Sequence, residues 1–301
     1  MAGRRWLPWI TAVVLLGGCG PVAGGPIQDG PAGDDVERLH QQARDALVRY
    51  DKAVHDAGGG QRFVPVGDLT GQRGDWEPTN ENNKAALLAG SVQVATALPG
   101  PPGATGKVVW ENGTTRTVPL VSAEQALSQL RAAGTGDCPD CAPLEVTGAR
   151  LTTTRIQTTR GPATVPAWEY TLKGTAVRVT RPAVASSAIL TVTPPSWDPY
   201  HSGGLAIESA TTTTSSRQLT VSFTGSPGPA SQPCGIDYSA EAVESDNAVV
   251  VIVIAHPHAD GEACLSIGAP RSATAELTRP LGERAVLEVQ QGTPVPLTIT
   301  G

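Results

Sequence analysis

The N-terminal residues constrain this chain most, because they determine the compartment in which the rest of it folds. Two arginines precede an apolar run over residues 6–16, and Gly17-Gly18 then lead to Cys19. A charged start, a short apolar stretch and small residues at its end are typical of a secretory signal peptide. A transmembrane helix needs about 20 apolar residues, whereas this run is shorter and contains Pro8. We therefore expect residues 1–18 to be removed and the remainder to fold outside the cytoplasm.

The segment Leu16-Gly17-Gly18-Cys19 also resembles the lipobox of bacterial lipoproteins. The resemblance implies that a diacylglyceryl group is attached to the thiol of Cys19, and that Cys19 becomes the first residue of the mature chain. Two acyl chains, at ~0.8 kcal/mol per buried methylene, hold a protein on a bilayer far better than one chain does. We therefore expect a lipid-anchored, outward-facing protein of the cell membrane. The alternative is a secreted protein in which Cys19 is incidental, and the paired arginines leave general and twin-arginine export both open.

Three later segments extend this resemblance. Cys138-Pro-Asp-Cys141 and the run from Arg160 to Trp168 (Arg-Gly-Pro-Ala-Thr-Val-Pro-Ala-Trp) look like segments of actinobacterial lipoproteins of unknown function. The segment Pro280-Leu-Gly-Glu-Arg284, followed by a Val-Leu-Glu-Val strand pattern, is similar to the same proteins. The resemblance covers most of residues 60–301. It implies a location and a fold but no activity, because those proteins are uncharacterised.

The cysteines support an exported location. Of the five in the chain, four remain when Cys19 is set aside. Four exported cysteines most simply form two disulfides, with three possible pairings. We predict Cys138–Cys141 and Cys234–Cys264, because each pair is then local to one predicted domain. A redox pair is the alternative for the first, but thioredoxin-like sites lie before a helix, whereas a strand pattern follows here.

The charge of the chain argues against one class of partner. The formal net charge is −6, and loss of the leader, which holds two arginines and no acidic residue, makes it more negative. Nucleic-acid binding depends on clustered Lys and Arg side chains that neutralise phosphates. We therefore expect no nucleic acid among the partners. We also expect no cofactor. The expected partners are the membrane, through Cys19, and an unidentified ligand or protein of the cell envelope.

Periodicity and composition divide the mature chain into three parts. Residues 19–33 are rich in Gly and Pro, and we interpret them as a tether. Residues 34–180 mix helical and strand patterns, which predicts an α+β N-terminal domain. Residues 181–301 contain short strand candidates between turn residues and almost no helical pattern, which predicts an all-β, sandwich-like C-terminal domain. Both domains are long enough to bury a core.

The longest helical pattern begins after Asp34-Asp35. Apolar residues recur at intervals of three and four over residues 36–54, and the glycines at 58–60 end the pattern. We expect this apolar face to pack on a sheet of residues 34–180. A lipid surface or a partner helix is the alternative, but the polar side of the helix is not enriched in basic residues.

Shorter motifs predict several further elements. Asn112-Gly113 lies between two strand patterns and suits a tight hairpin. Ser122 and Gln125 form a capping-box pattern at the start of a helix. The aliphatic run within residues 247–254 is typical of a central strand that is buried on both faces. The strand candidates of the C-terminal domain are residues 188–192, 205–211, 218–223, 248–254, 274–277 and 285–289.

One histidine cluster has the composition of a metal site. His256 and His258 are followed by Asp260, and two imidazoles with a carboxylate are ligands that Zn²⁺ or Cu²⁺ accepts. His201 completes the set only if the fold brings it close. The alternative is a polar turn after the strand at 247–254, in which the histidines serve solubility.

Catalytic motifs are not evident in the sequence. Neither Gly-x-Ser-x-Gly nor Ser-x-x-Lys occurs. Asp75-Trp76-Glu77 and Trp197-Asp198 place carboxylates beside an aromatic ring, as sugar-binding clefts do, although such tryptophans also serve packing. We therefore expect a non-enzymatic lipoprotein that binds a ligand or protein in the cell envelope. The alternatives are an envelope glycan or peptidoglycan hydrolase with carboxylates placed by the fold, and a metal-binding lipoprotein.

Overall fold

The structure, a computed structural model, describes residues 33–58, 63–77, 81–196 and 203–300. Several sequence predictions fall outside these ranges: the leader over 1–18, Cys19, the tether residues up to 32, Trp197-Asp198 and His201. Within the described part, none of the helices combines the length and the apolar character needed to span a bilayer.

The described residues form three α-helices, a short 3₁₀ helix (Ser186–Ala188) and fifteen strands. The helices are α1 (Gly33–Asp56), α2 (Glu81–Leu88) and α3 (Ala123–Ala132). The first eight strands are β1 (Pro65–Val66), β2 (Gly71–Arg73), β3 (Val92–Val94), β4 (Thr105–Trp110), β5 (Thr115–Pro119), β6 (Leu144–Thr158), β7 (Ala163–Leu172) and β8 (Arg178–Pro182). The others are β9 (Ile207–Thr213), β10 (Gln218–Gly225), β11 (Ile236–Glu244), β12 (Ala248–Pro257), β13 (Ala269–Glu276), β14 (Ala285–Glu288) and β15 (Leu297–Thr300). The predicted order, an α+β part followed by an all-β part, is confirmed.

The larger sheet is organised around β7. This strand pairs antiparallel with β6 along one edge, and with β4 and then β8 along the other. β5 extends the sheet beyond β4 and β2 extends it beyond β8, while β1 and β3 pair with opposite ends of β6. The predicted hairpin at Asn112-Gly113 joins β4 to β5. Gly113 has a φ of +81°, a left-handed conformation that glycine adopts without strain.

Helix α3 covers one face of this sheet. The predicted capping box is present: Ser122 Oγ accepts a hydrogen bond from the backbone N–H of Gln125 at 3.2 Å, and Gln125 Oε1 accepts one from the backbone of Ser122 at 3.1 Å. Two buried side chains of β7 donate hydrogen bonds to the backbone around the start of α3. The indole N–H of Trp168 donates to the carbonyl oxygen of Val121 at 2.9 Å, and the hydroxyl of Tyr170 donates to that of Ala123 at 2.8 Å. These bonds attach the helix to β7, and burial raises the pKa of Tyr170 above its usual value.

The second half of the chain forms two sheets that pack face to face. One has the strand order β13-β10-β9-β15 and the other β11-β12-β14. On β12, the alternate residues Val249, Val251 and Val253 are buried between the sheets. Val221 and Phe223 of β10 line the same core from the opposite sheet. This arrangement is the predicted sandwich.

Helix α1 covers the other face of β12. Val250 and Ile252 lie in a second core with Leu39 and Leu47 of the helix, so β12 is buried on both faces, as its aliphatic run predicted. The structure differs from the sequence prediction in the sheet that the helix covers, because α1 packs on the sandwich and not on a sheet of residues 34–180. A three-stranded sheet that is apolar on its outer face needs a cover, and the apolar stripe of α1 supplies it.

The connection between the two halves is also more interwoven than a boundary at residue 181 suggests. That position lies inside β8, and Ala183 and Val184 are buried in the cores of the first sheet. Arg160, in the turn between β6 and β7, donates from Nη2 to Glu283 Oε1 at 2.8 Å, just before β14. The α+β part therefore contacts the sandwich near the end where β12 and β14 begin.

Helix α1 runs antiparallel to β12. Near the end of the helix, Asp51 Oδ1 accepts a hydrogen bond from Asn247 Nδ2 at 3.0 Å, at the start of β12. Closer to the start of the helix, His40 Nε2 lies 2.8 Å from Glu241 Oε2, and Glu241 is paired with Ile252, well along β12. The beginning of α1 and the finish of β12 consequently lie at the same end of the sandwich.

Candidate functional site

Two loops meet at the end of the sandwich where β12 finishes. One joins β10 to β11 over residues 226–235, and the other joins β12 to β13 over residues 258–268. Cys234 of the first loop and Cys264 of the second are at disulfide distance, with Cα atoms 5.6 Å apart. We call these two loops the bridged end.

The other predicted cysteine pair lies in the α+β part. Cys138 and Cys141 are also at disulfide distance, with Cα atoms 5.3 Å apart. The strand β6 follows them, whereas a thioredoxin-like pair precedes a helix. Both pairings therefore match the sequence prediction, and the order of elements favours a structural role for this first pair.

Cys234 occupies a tight turn of the bridged end. Its φ is +60°, and it is the one residue other than glycine with positive φ in the described part of the chain. A left-handed conformation costs such a residue about 1–2 kcal/mol. The backbone N–H of Cys234 donates to Glu262 Oε2 at 2.7 Å, and its carbonyl oxygen accepts a hydrogen bond from Ser226 Oγ at 2.9 Å. These contacts and the bridge to Cys264 hold the turn in place.

An arginine and a tyrosine form the base of the bridged end. Arg271 donates from Nη1 to the carbonyl oxygens of Ser226 and Gly228, at 2.6 and 3.3 Å. Its guanidinium carbon lies 5.1 Å from the centroid of the Tyr238 ring, and the Tyr238 hydroxyl accepts a hydrogen bond from the backbone N–H of Ser226 at 2.7 Å. The loop over 226–235 therefore has a defined conformation.

The histidines singled out in the sequence belong to the same region. His256 Nε2 lies 2.7 Å from Ser239 Oγ on the neighbouring strand. His258 Nδ1 lies 2.7 Å from the carbonyl oxygen of Ala230. Because a carbonyl oxygen only accepts, His258 Nδ1 carries the proton in this arrangement. Each ring thus makes a local hydrogen bond, and that of His258 joins the two loops.

Within the described residues, the structure does not bring the proposed metal ligands His256, His258 and Asp260 together as a group. Among the described residues, the group of three possible ligands whose ligand atoms all lie within 4.8 Å of one another is Cys234, Glu262 and Cys264. Its two sulfur atoms are paired with each other. Cysteine binds a metal ion as a thiolate, so a disulfide removes both sulfur atoms as ligands. His256, His258 and Asp260 are not part of this group.

The bridged end also carries two exposed apolar side chains. Leu265 is 81 % exposed and Ile267 is 60 % exposed, and Leu265 is the most exposed large apolar residue in the described part of the chain. The backbone N–H of Ile267 donates to the carbonyl oxygen of Leu265 at 2.9 Å, so the two residues lie on one tight turn directly after Cys264. Clustered exposed apolar residues mark interaction surfaces, whereas scattered ones need no explanation.

In the segment Asp75-Trp76-Glu77, the tryptophan and Glu77 have hydrogen-bond partners within the α+β part. The indole N–H of Trp76 donates to Gln72 Oε1 at 2.8 Å, and the ring packs partly buried on the core below α3. Glu77 Oε2 accepts a hydrogen bond from Thr175 Oγ1 at 3.1 Å. Glu169, which is 5 % exposed, lies between the guanidinium groups of Arg73 and Arg150.

Two carboxylates of the sandwich organise loops at the ends of strands. Glu288 accepts hydrogen bonds from the backbone N–H groups of Gln290, Gln291 and Thr293, at 2.7, 2.8 and 3.2 Å. Glu244 pairs with the buried Arg284. Burial opposes the ionisation of Glu244, but hydrogen bonds from Arg284 and from the backbone of Thr278 outweigh it and lower the pKa of Glu244. Such fully engaged carboxylates are suited to holding backbone rather than to exchanging protons.

Comparisons with known protein families, with curated proteins and with solved structures found no match for this chain. The geometry of the chain itself therefore carries the argument about its function. The exposed pair Leu265 and Ile267 was missed by sequence reasoning. The available signal was the run Cys-Leu-Ser-Ile in a segment that is otherwise polar and small.

Proposed function

We propose that this chain is an outward-facing lipoprotein, attached to the cell membrane through Cys19, whose folded part acts by binding in the cell envelope. The single observation that carries the proposal is the pairing of all four cysteines of the folded part, at disulfide distance and within local segments. Disulfides form and persist in oxidising compartments such as the cell exterior. The leader and the lipobox pattern before Cys19 support the same location.

The hydrogen-bond and ion-pair partners of three carboxylates support binding over hydrolysis. A glycosidase needs two carboxyl groups about 5–9 Å apart, with one poised to donate a proton. Glu169, Glu244 and Glu288 are instead engaged by guanidinium groups or backbone N–H groups. We place the binding surface at the bridged end, where Leu265 and Ile267 are held in an exposed position.

The attachment is tested by the intact mass of the protein recovered from its native membrane. We expect the mature chain to begin at Cys19 with a diacylglyceryl group, and Cys19→Ser to remain unlipidated and either unprocessed or released. Gly18→Ala is the matched control, because alanine is also small and should preserve cleavage and lipid attachment. An unmodified Cys19 thiol in native material, or an acylated mature product from Cys19→Ser, would contradict the proposal.

The choice between binding and hydrolysis needs a separate measurement. The purified mature protein is incubated with cell-wall glycan, and soluble sugar fragments are measured. We expect no release above that from glycan incubated alone. Release by the wild-type protein that Glu169→Gln or Glu77→Gln abolishes would favour the hydrolase.

A further inference from the structure

We propose that the bridged end docks on the membrane that holds Cys19, with Leu265 and Ile267 inserted into the lipid surface. The inference rests on the proposed attachment through Cys19 and names the lipid bilayer as the partner of the bridged end. It follows from the direction of α1, the length of the preceding chain and the chemistry of the loop.

The start of α1 and the bridged end lie on the same side of the molecule. From Asp51 to His40 the helix advances by roughly 17 Å, and from Asn247 to Ile252 the strand β12 advances by roughly the same distance. The two segments lie side by side, because Asp51 contacts Asn247 and His40 contacts Glu241, the strand partner of Ile252. Continued to Gly33, the helix advances roughly 10 Å further, towards the finish of β12. The chain therefore enters the fold beside the two bridged loops.

The length of chain before α1 limits how far this end can be from the membrane. Fourteen residue steps separate Cys19 from Gly33, and a chain of that length spans at most about 50 Å. The α+β part contacts the sandwich near the other end, where Arg160 meets Glu283. Of the two ends of the sandwich, the bridged end is therefore the one at which the anchored chain enters, and so the one nearer to Cys19 along the chain.

The attachment also makes a weak contact sufficient. Once Cys19 is in the bilayer, docking of the loop is an intramolecular event, and its effective concentration is set by the length of the connecting chain. A small apolar contact that would be negligible for a free protein is then populated. The bridge between Cys234 and Cys264 fixes the loop beforehand, so little conformational entropy is lost when Leu265 and Ile267 enter the lipid.

The charges of the loop indicate that the contact is apolar. Residues 258–268 contain Asp260, Glu262 and His258 but no lysine or arginine. Attraction to anionic lipid requires clustered basic residues. We therefore expect docking on zwitterionic bilayers, with no gain from anionic lipid and no release by salt.

The test uses the acylated mature protein, reconstituted in phosphatidylcholine vesicles with and without bromine on the acyl chains. Leu265→Trp places a fluorophore at the proposed contact, and Val48→Trp is the matched control, because Val48 is 67 % exposed on α1. After subtraction of wild-type emission, we expect the tryptophan at 265 to shift to shorter wavelength and to be quenched by brominated lipid. The tryptophan at 48 should be unaffected.

A second variant keeps the test decisive if Leu265→Trp does not fold. Ile267→Trp should be quenched in the same way, and adding Leu265→Asp should abolish that quenching, because a charged side chain resists transfer into lipid. Adding Val48→Asp to Ile267→Trp should leave the quenching intact. The same pattern should persist at high salt and in vesicles that contain anionic lipid.

The mass of each reconstituted sample separates the two proposals. Acylation at Cys19 without quenching at 265 or 267 overturns the docking inference, leaves the attachment intact and assigns the loop to a protein partner. A sample without acylation contradicts the proposed attachment and overturns the docking inference with it, because the small apolar contact depends on the effective concentration that the anchor provides. Equal quenching at 265 and 48 in acylated samples also overturns the docking inference.

Discussion

Replacement of Glu244 by glutamine removes a charge that the sandwich uses to hold one of its loops. Glu244 ends β11, and its carboxylate accepts hydrogen bonds from Arg284 and, at 2.8 Å, from the backbone N–H of Thr278. The Arg284 side chain is 4 % exposed and that of Glu244 is 14 % exposed. The guanidinium also donates to three backbone carbonyl oxygens of the preceding loop. Arg284 thus pairs with the carboxylate of Glu244, and the conformation of the preceding loop depends on the position of the Arg284 guanidinium group.

The expected loss of stability follows from the guanidinium charge that remains. Removal of one partner from a buried ion pair costs about 3–5 kcal/mol, and the partial exposure of Glu244 places this case near the lower value. For domains of 150–250 residues, ~1 kcal/mol corresponds to a change of about 2–4 °C in the melting temperature. We therefore expect Glu244→Gln to melt roughly 6–12 °C below the wild-type protein.

Calorimetry on the mature protein checks this value, and a neighbouring pair supplies the control. Arg279 and Asp246 also form an ion pair, at 3.1 Å, but Asp246 is 99 % exposed. Exposed pairs contribute about 0.2–1 kcal/mol, so Asp246→Asn should shift the melting temperature far less. Equal shifts for Glu244→Gln and Asp246→Asn would refute the reasoning from burial.

The ion pair between Glu244 and Arg284 predicts that the stability of the fold depends on pH. The pKa of Glu244 lies below its ordinary value of 4.5, because hydrogen bonds from Arg284 and Thr278 prevail over burial. A carboxylate whose pKa is lowered in the folded state stabilises the fold above its unfolded pKa, and this stabilisation is lost as the pH falls through the folded value. The difference in melting temperature between wild type and Glu244→Gln should therefore be constant near neutral pH and should shrink below pH 4.5.

Two further substitutions test the turn at the bridged end and the double-sided burial of β12. A Cβ on Gly235 would overlap the carbonyl oxygen of Pro229, whereas a Cβ on Gly228 would come no closer than 3.5 Å to its neighbours. Gly235→Ala should therefore destabilise the fold by about 1–3 kcal/mol in denaturant titrations, and an equal loss for Gly228→Ala would contradict the geometry. Ile252 is fully buried between β12 and α1, so Ile252→Ala should cost about 2–5 kcal/mol. The exposed Val48→Ala should stay within about 0.5 kcal/mol of wild type, and similar values for the two would argue against α1 as the cover.

The arrangement of layers explains why the longest helix belongs to the sandwich. A strand that is apolar on both faces is not stable with one face open to solvent, because the apolar residues on that face would remain exposed to water. Val251 faces the opposing sheet and Val250 faces α1. The chain thus uses its first helix to complete a domain whose strands come some 150 residues later.

Local patterns in the sequence were enough to predict many elements. The Asn112-Gly113 hairpin, the capping box at Ser122 and the aliphatic strand after Asn247 are all present. Each depends on a few adjacent residues, whose backbone preferences and spacing are the same in any fold. The cysteine pairs were predictable for a related reason, because short separations along the chain favour pairing within one segment.

The tertiary structure decided what the sequence left open. The apolar stripe of α1 specifies that one face is buried, but a stripe does not name the surface that covers it, so the choice of β12 required the whole sandwich. The engagement of Glu169 by Arg73 and Arg150 and the meeting of the loops at Cys234 and Cys264 likewise join distant residues. Periodicity records the local geometry of a helix or strand, whereas contacts between distant segments arise only when all layers pack together.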